Sequence, residues 1–326
     1  MTLPATKTTT LTATESDKAL RLDAFVARAL LCGIREAKRH IANGHVLANG
    51  KARPPHFKLL PGTTVRISQG QPTVSCLEEA VRVLAVTKDF VVFYKPPELH
   101  TAAIAAKKQP SLEQAVTANW NLWRENWPTM ATPEYLSLSP QIREAIGNNF
   151  QKQPFAACPH TQPLLVNRLD AATSGLVTAA FTAENITQFR RCEALGEVNK
   201  YYLAVTSTLP PGPLVLRSAL DTDSRIKSRV LEQEAVDVTR HTRVIPLGSA
   251  ADFLKDAHSG TALVAVCIKR GARHQIRAHL ACAGYPLYGD ALYGEAAAAP
   301  LRLHHIRLVM PGLDAFCMPP WPMRKA

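Results

Sequence analysis

No run of this chain is long and apolar enough to cross a bilayer, which takes about 20 consecutive residues. The first eighteen residues are rich in threonine but lack both the basic start and the apolar stretch of a signal peptide, so residues 1–18 are expected to be a disordered tail. Cysteine occurs only as seven scattered residues (Cys32, Cys76, Cys158, Cys192, Cys267, Cys282 and Cys317), with no Cys-x-x-Cys pair. An odd, dispersed set argues against a disulfide framework or a zinc knuckle and fits reduced thiols in a cytoplasmic protein. No His-Glu-x-x-His occurs, and no carboxylate stands at ligand spacing beside His274, His279, His304 and His305. No metal is therefore expected, and these histidines are expected to hydrogen-bond backbone or a ligand. Acid is also scarce: 26 Asp and Glu against 38 Lys and Arg give a net charge of +12. Such an excess favours a polyanionic partner only if the cations cluster; spread evenly, they would serve solubility.

What is present is ample for two domains. At 326 residues and 46% apolar, the chain can build one large core and one small one. The cations do cluster. Between 20 and 66 stand Arg21, Arg28, Arg35, Lys38, Arg39, Lys51, Arg53, Lys58 and Arg66, against only Asp23 and Glu36. Leu20, Leu22, Phe25, Val26 and Ala29-Leu30 recur at helical spacing, and a second helix is predicted over 35–42, stopped by Asn43-Gly44. Arg35, Lys38 and Arg39 then share one helix face, which suits either a phosphate backbone or plain solvent. His45–Ala48, Asn49-Gly50 and Lys51–Arg53 read as a hairpin, with 62–67 as a closing strand. With Arg-Leu-Asp at 21–23 and Gly-x-Val-x-x-Asn-Gly at 44–50, the module resembles the small RNA-binding domain first described in ribosomal protein S four. By that resemblance Arg35, Lys38, Arg39, Lys51 and Arg53 contact RNA.

The stretch around which the chain is organised is Asn167-Arg168-Leu169-Asp170-Ala171-Ala172-Thr173-Ser174-Gly175-Leu176. Apolar runs enter it at 164–166 and leave it at 176–181, so a strand pair with a tight loop is predicted, its hydroxyls capping local backbone. An Arg and an Asp two residues apart on such a loop serve either as a structural ion pair or as a site. The segment resembles the signature loop of the RluA-type pseudouridine synthases, His-Arg-Leu-Asp, two free positions, then Thr-Ser-Gly-Leu; Asn167 stands where His is usual. Further matches follow in order. Residues 81–86 and 90–94 read as strands leading into Lys95-Pro96-Pro97, like the opening of that family's catalytic domain. Lys200, Tyr202 and Ala204 match Lys-x-Tyr-x-Ala in a strand over 198–205, after a helix from Thr182 to Leu195. Gly271-Ala272-Arg273-His274-Gln275-Ile276-Arg277-Ala278-His279-Leu280 matches Gly-Arg-x-His-Gln-Ile-Arg-x-His-Leu, with Ala272 replacing an Arg. Gly284–Gly294 matches Gly-x-Pro-x-x-Gly-Asp-x-x-Tyr-Gly, and Leu301–His304 matches Leu-x-Leu-His. The basic, β-branched stretch 225–243 suits paired strands facing a polyanion. Residues 102–163 carry no motif and read as an insertion, in which Trp120, Trp123 and Trp127 suit packing better than base stacking.

The resemblance implies an α+β protein: a mixed, largely antiparallel sheet forming a catalytic domain over 81–326, a linker over 69–80, and the small RNA-binding domain over 19–68. It implies isomerisation of uridine to pseudouridine in ribosomal RNA, or transfer RNA, with no cofactor, by a cytoplasmic monomer with no membrane partner. Asp170 becomes the catalytic aspartate, which must be ionised to act as nucleophile or base, and Arg277 the cation that aims it. Tyr202 stacks on the extruded uracil, and its hydroxyl assists proton movement from carbon 5. Arg168, Thr173, Ser174, Lys200, Arg273, His274 and Gln275 become RNA contacts, and a base must leave its stack to be reached. Two rivals stand beside this. A non-catalytic RNA-binding or ribosome-assembly protein on the same fold is compatible with Asn167 and Ala272. A glycosidase-like hydrolase needs a second placed carboxylate, and none is expected from the motifs.

Overall fold

The computed structural model describes residues 7–30, 34, 37–38, 41, 46–49, 53–69, 80–103, 109–126, 135–150, 159–224, 226–294 and 299–324. The chain divides into two compact units, Met1–Cys76 and Leu77–Ala326.

In the smaller unit three strands pair antiparallel in the order β1 (Lys7–Thr12), β3 (Thr64–Gln69), β2 (Val46–Ala48). This corrects the expected disordered tail. Lys7–Thr12 is a strand in register with β3 from Lys7↔Gln69 to Thr12↔Thr64. Its run of β-branched threonines suits a pleated backbone, and Leu11 packs against the unit's core. Of the expected hairpin, residues 45 and 50–52 lie outside the described residues. The partner of β2 is β3, and Asn49, at φ +49°, turns back onto Thr64, whose N–H donates to its Oδ1 at 2.8 Å. Helix α1 (Leu22–Ala29) buries Leu22, Phe25 and Val26 against Val46, Leu59, Val65 and Ile67. Of the predicted second helix, Ala37, Lys38 and Ile41 are described and are helical.

The larger unit is built on a ten-stranded sheet. Its path runs β4 (Arg82–Val86), β5 (Phe90–Lys95), β7 (Ser174–Ala180), β14 (Leu303–Met310), β8 (Asn199–Thr206), β13 (Ala262–Ile268), β12 (Thr242–Ser249), β9 (Leu214–Leu216). β6 (Leu164–Leu165) lies on β7, and β15 (Leu313–Phe316) on β14. Pairing is antiparallel except between β7 and β14. A separate ribbon pairs β10 (Ser218–Asp221) with β11 (Arg229–Glu234). The stretch 225–243 thus pairs with other strands rather than with itself: 229–234 with β10, and β12 with β13 and β9.

Alternation along β8 separates two cores. Tyr202 and Ala204 join Phe93, Val177, Val266 and Ile276 in one; Leu203 and Val205 join Leu263 and Phe316 in the other. The unread segment 102–163 supplies cover to both. Helix α2 (Leu112–Asn126) lays Trp120 and Trp123 on Phe93, with ring centroids 6.2 and 5.9 Å away. Helix α3 (Pro140–Ala145) brings Ile142 and then Ile146 to the opposite core. Both tryptophans are buried, so they are core residues, each burial of this kind stabilising by roughly 1.5–3 kcal/mol; Trp127 lies outside the described residues. Helix α4 (Ala183–Ala194) starts at Thr182, whose hydroxyl accepts from Asn185 N, and seats Phe189 edge-on to Phe90. Helix α5 (Gln275–Cys282) follows β13. No helix among the described residues is long and apolar enough to cross a membrane.

Candidate active site

The loop between β6 and β7 carries Asp170, and its backbone is tied down at nearly every step. Thr178 N donates to Asn167 Oδ1 at 2.7 Å, so the Asn that departs from the motif anchors the loop's entry to β7. Leu169 is gripped twice by Thr101, whose hydroxyl donates to the Leu169 carbonyl at 2.7 Å and accepts from its N–H at 3.0 Å. Lys95, wholly buried, donates from Nζ to the carbonyls of Pro96, Leu99 and Ala171 at 2.9, 2.7 and 3.0 Å. The three carbonyls match the three donors of an ammonium, while burial pushes Lys95 down to about 7. The loop ends at Gly175, φ +118°, where a Cβ would lie 2.3 Å from the His305 carbonyl oxygen. Only glycine fits there.

This frame delivers the Asp170 carboxylate to Arg277, on the first turn of α5. Arg277 Nη1 donates to Asp170 Oδ2 at 3.1 Å. The other edge of the guanidinium is bidentate: Nε and Nη2 donate to the two oxygens of Asp290 at 2.8 and 2.7 Å. Asp290 is buried and also accepts from Leu292 N and Tyr293 N at 3.0 and 3.2 Å. Burial works to raise its carboxyl, but Arg277 and these two amides outweigh that and hold it below the usual range. Arg277 is thereby a fixed cation whose one free edge points at Asp170. His274 Nε2 lies 3.8 Å from the same Asp170 oxygen. His274 itself sits at φ +57° before α5, with Nδ1 3.0 Å from the Tyr293 hydroxyl. Burial lowers His274 below its ordinary value.

These groups line a cleft of about 790 Å³. Asp170, Arg168, Thr173, Lys200, Tyr202, Arg273, His274, Gln275 and Arg277 all contribute to its wall. Being in the wall does not make each one free. Lys200 is buried in an ion pair with Glu193 and lies over the Phe189 ring, so its ammonium is committed within the protein rather than offered to RNA. Gln275 is likewise committed: Oε1 accepts from Ala272 N at 2.9 Å, and Nε2 donates to the Arg240 carbonyl and Thr242 hydroxyl at 2.6 and 3.0 Å. It holds the shape of the 271–274 turn through the Ala272 N–H. Ser174 is outside the cleft wall, donating to His304 Nδ1 at 2.8 Å; His304 Nε2 in turn donates to the Cys317 carbonyl. Arg273 donates to the Thr222 carbonyl at 2.7 Å and to the Ser224 carbonyl, bracing the β10–β11 ribbon. Arg168 is the exposed cation of the set. Tyr202 is 5% exposed, and burial first, then the charges of Asp170 and Glu193, push its phenol strongly upward. It meets the cleft as a neutral hydroxyl.

Two anchors went unassigned in the sequence, although both stand in quoted motifs: Asp290 in Gly-Asp-x-x-Tyr-Gly and Lys95 in Lys-Pro. Asp290 is the second carboxylate that a hydrolase would need, yet both its oxygens are occupied. Among the described residues no group of three or more His, Cys, Asp or Glu is placed to hold a metal ion. In the smaller unit Lys38 Nζ stands 3.9 Å from Asp23, and the Arg53 guanidinium lies 5.0 Å from the Phe57 ring centre; Arg35, Arg39 and Lys51 lie outside the described residues.

Comparison with known proteins agrees with this geometry. Residues 20–65 match the S4 domain. An uncharacterised RNA pseudouridine synthase of Helicobacter pylori is 24% identical over 277 residues, 83% of this chain and 75% of that protein. The ribosomal large subunit pseudouridine synthase D of Neisseria meningitidis is 25% identical over 280 residues, 84% of this chain and 64% of that one. Among solved structures, human RNA pseudouridylate synthase domain containing 1 shares the fold, with a TM-score of 0.50 at 17% identity over 76% of this chain and 90% of its own. Residues 89–282, more than half of the chain and including both Asp170 and Arg277, match the model of RNA pseudouridylate synthases, and the chain therefore belongs to that family of RNA-modifying isomerases.

Proposed function

We propose that the cleft isomerises a uridine of ribosomal RNA, with Asp170 as the catalytic carboxylate, Arg277 as the cation that aims it, and Tyr202 as the platform for the uracil. The observation that carries this reading is the single hydrogen bond from Arg277 to Asp170, made by a guanidinium whose other edge is locked on Asp290. A carboxylate held on one side only keeps lone pairs for chemistry. The reaction needs no more than that. The bond from uracil N1 to the ribose C1′ breaks, the ring turns, and C5 bonds to C1′; C5 loses a proton and N1 gains one. Atoms and electrons balance without a co-reactant. Asp170 serves as nucleophile or base in the first step, and the Tyr202 hydroxyl assists movement of the C5 proton. Arg168 and the exposed face of His274 receive the strained backbone of the extruded nucleotide, and the S4 domain, with Lys38 and Arg53, adds a sequence-tolerant hold on phosphates. Ribosomal RNA is favoured over transfer RNA by similarity to the Neisseria enzyme, whose substrate is in its name.

The test is a map of pseudouridines across total RNA from cells with and without the gene, complemented by wild type and by Asp170→Asn. A ribosomal uridine modified by wild type alone is the expected result. A site in transfer RNA would move the substrate; survival of every site after deletion would leave a non-catalytic RNA-binding protein.

A further inference from the structure

Tyr202 is backed by another ring. The imidazole of His305 lies parallel to it within 16°, with centroids 4.6 Å apart. The contact follows from register: Tyr202 on β8 and His305 on β14 are directly opposed in an antiparallel pair, where side chains on one face meet. A bulge between His305 and Arg307 follows immediately.

His305 is fully buried. Its Nδ1 lies 2.7 Å from the Leu176 carbonyl, which can only accept, so Nδ1 carries the proton and the ring plane is fixed. The remaining nitrogen, Nε2, is buried and makes no well-formed hydrogen bond, with the Arg307 backbone as a further polar neighbour of the ring. An unmet buried acceptor is unfavourable, so what favours histidine here is the Nδ1–H bond to Leu176 together with the ring stack on Tyr202. Burial lowers its pKa to about 3, so the ring stays uncharged.

The same residue touches the other side of the site. The backbone of His305 is what a Cβ on Gly175 would strike, and Gly175 and Leu176 lead directly out of the Asp170 loop. His305 therefore meets that loop through its backbone and its Nδ1–H, and meets Tyr202 through its ring. We propose that His305 is a positioning residue for the isomerisation, setting the plane and depth of Tyr202 against Asp170. The inference rests on Tyr202 facing the uracil.

Two variants separate the ring from the hydrogen bond. His305→Asn keeps a donor for Leu176 but has no ring; His305→Phe keeps a flat ring but has no donor. Each is assayed as full-length enzyme on ribosomal RNA isolated from the deletion strain, measuring kcat, RNA affinity and thermal melting. The expected result is a kcat loss of about tenfold or more for His305→Asn, the scale set by small misplacements of reacting groups, with unchanged RNA affinity. His305→Phe should restore kcat to within about threefold of wild type, whichever variant melts lower. Wild-type kcat in His305→Asn, or losses in both variants that follow their melting temperatures, would overturn the proposal. Should either variant fail to fold, histidine-labelled wild-type enzyme gives the answer by NMR. The His305 ring protons should show an upfield ring-current shift that Tyr202→Leu abolishes, and the absence of that shift overturns it as well. Activity in Asp170→Asn would instead undo the functional reading, independently of His305.

Discussion

Arg277 and Arg307 grip their partners in the same way. Each gives Nε and Nη2 to the two oxygens of one aspartate, Arg277 to Asp290 at 2.8 and 2.7 Å, Arg307 to Asp314 at 3.0 and 2.7 Å. They differ in the remaining nitrogen. Nη1 of Arg277 reaches Asp170, a carboxylate whose side chain is 24% exposed in the cleft. Nη1 of Arg307 reaches the carbonyls of Ile146 and Gly147 beyond α3, under the rings of Tyr135 and Phe150. One guanidinium presents a charge to a cavity; the other closes a helix end against a core. A buried Arg–Asp pair is thus no mark of a site by itself, and what marks one is where the third acceptor faces.

The comparison can be broken most forcefully at that third acceptor. Asp170→Asn should lower turnover by at least about 10³-fold while leaving the melting temperature near wild type, since Arg277 keeps Asp290; a single-turnover assay beside a melt decides it. Arg277→Met should abolish turnover and also destabilise by about 3–5 kcal/mol, because it leaves Asp290 buried without its cation. Arg307→Met should cost a similar 3–5 kcal/mol through Asp314, yet its surviving folded enzyme should turn over at the wild-type rate; a matching loss of kcat would erase the distinction. The smallest effect is in acid. Asp290 has a folded pKa below its unfolded value, so it stabilises above about pH 3.9 and that contribution fades as pH falls through the folded value. Asp290→Asn should flatten this acid limb in urea titrations at pH 2–5.

Asp170, Tyr202 and Arg277 were legible in the sequence because their motifs tie residue type to spacing, and the structure brings all three to one cleft. Motif membership did not reveal which way each polar group turns. Lys200, Ser174 and Gln275 stand in the same motifs but bond to Glu193, to His304, and to the Arg240 carbonyl and Thr242 hydroxyl, partners that lie outside those motif segments. Asp290 was overlooked for the same reason: its role appears only when α5 places Arg277 against it. The strand at Lys7–Thr12 was hidden by a polar, low-complexity composition that resembles a loose tail until β3 supplies its hydrogen bonds. The segment 102–163 was opaque because its described helices hold the sheet through scattered apolar residues that form no motif.

Residues 303–310 are among the last strands made, yet they lie in the middle of the sheet, between β7 and β8. The pairs His304↔Ser174 and His305↔Gly175 join points 130 residues apart, and such long closures are slow. Until β14 inserts, the Asp170 loop lacks the backbone it rests on and Tyr202 lacks the ring behind it. A chain that ends before β14 therefore carries Asp170, Tyr202 and Arg277 without the strand that backs them. The cleft is thus completed by a strand made late in the chain, after Asp170, Tyr202 and Arg277.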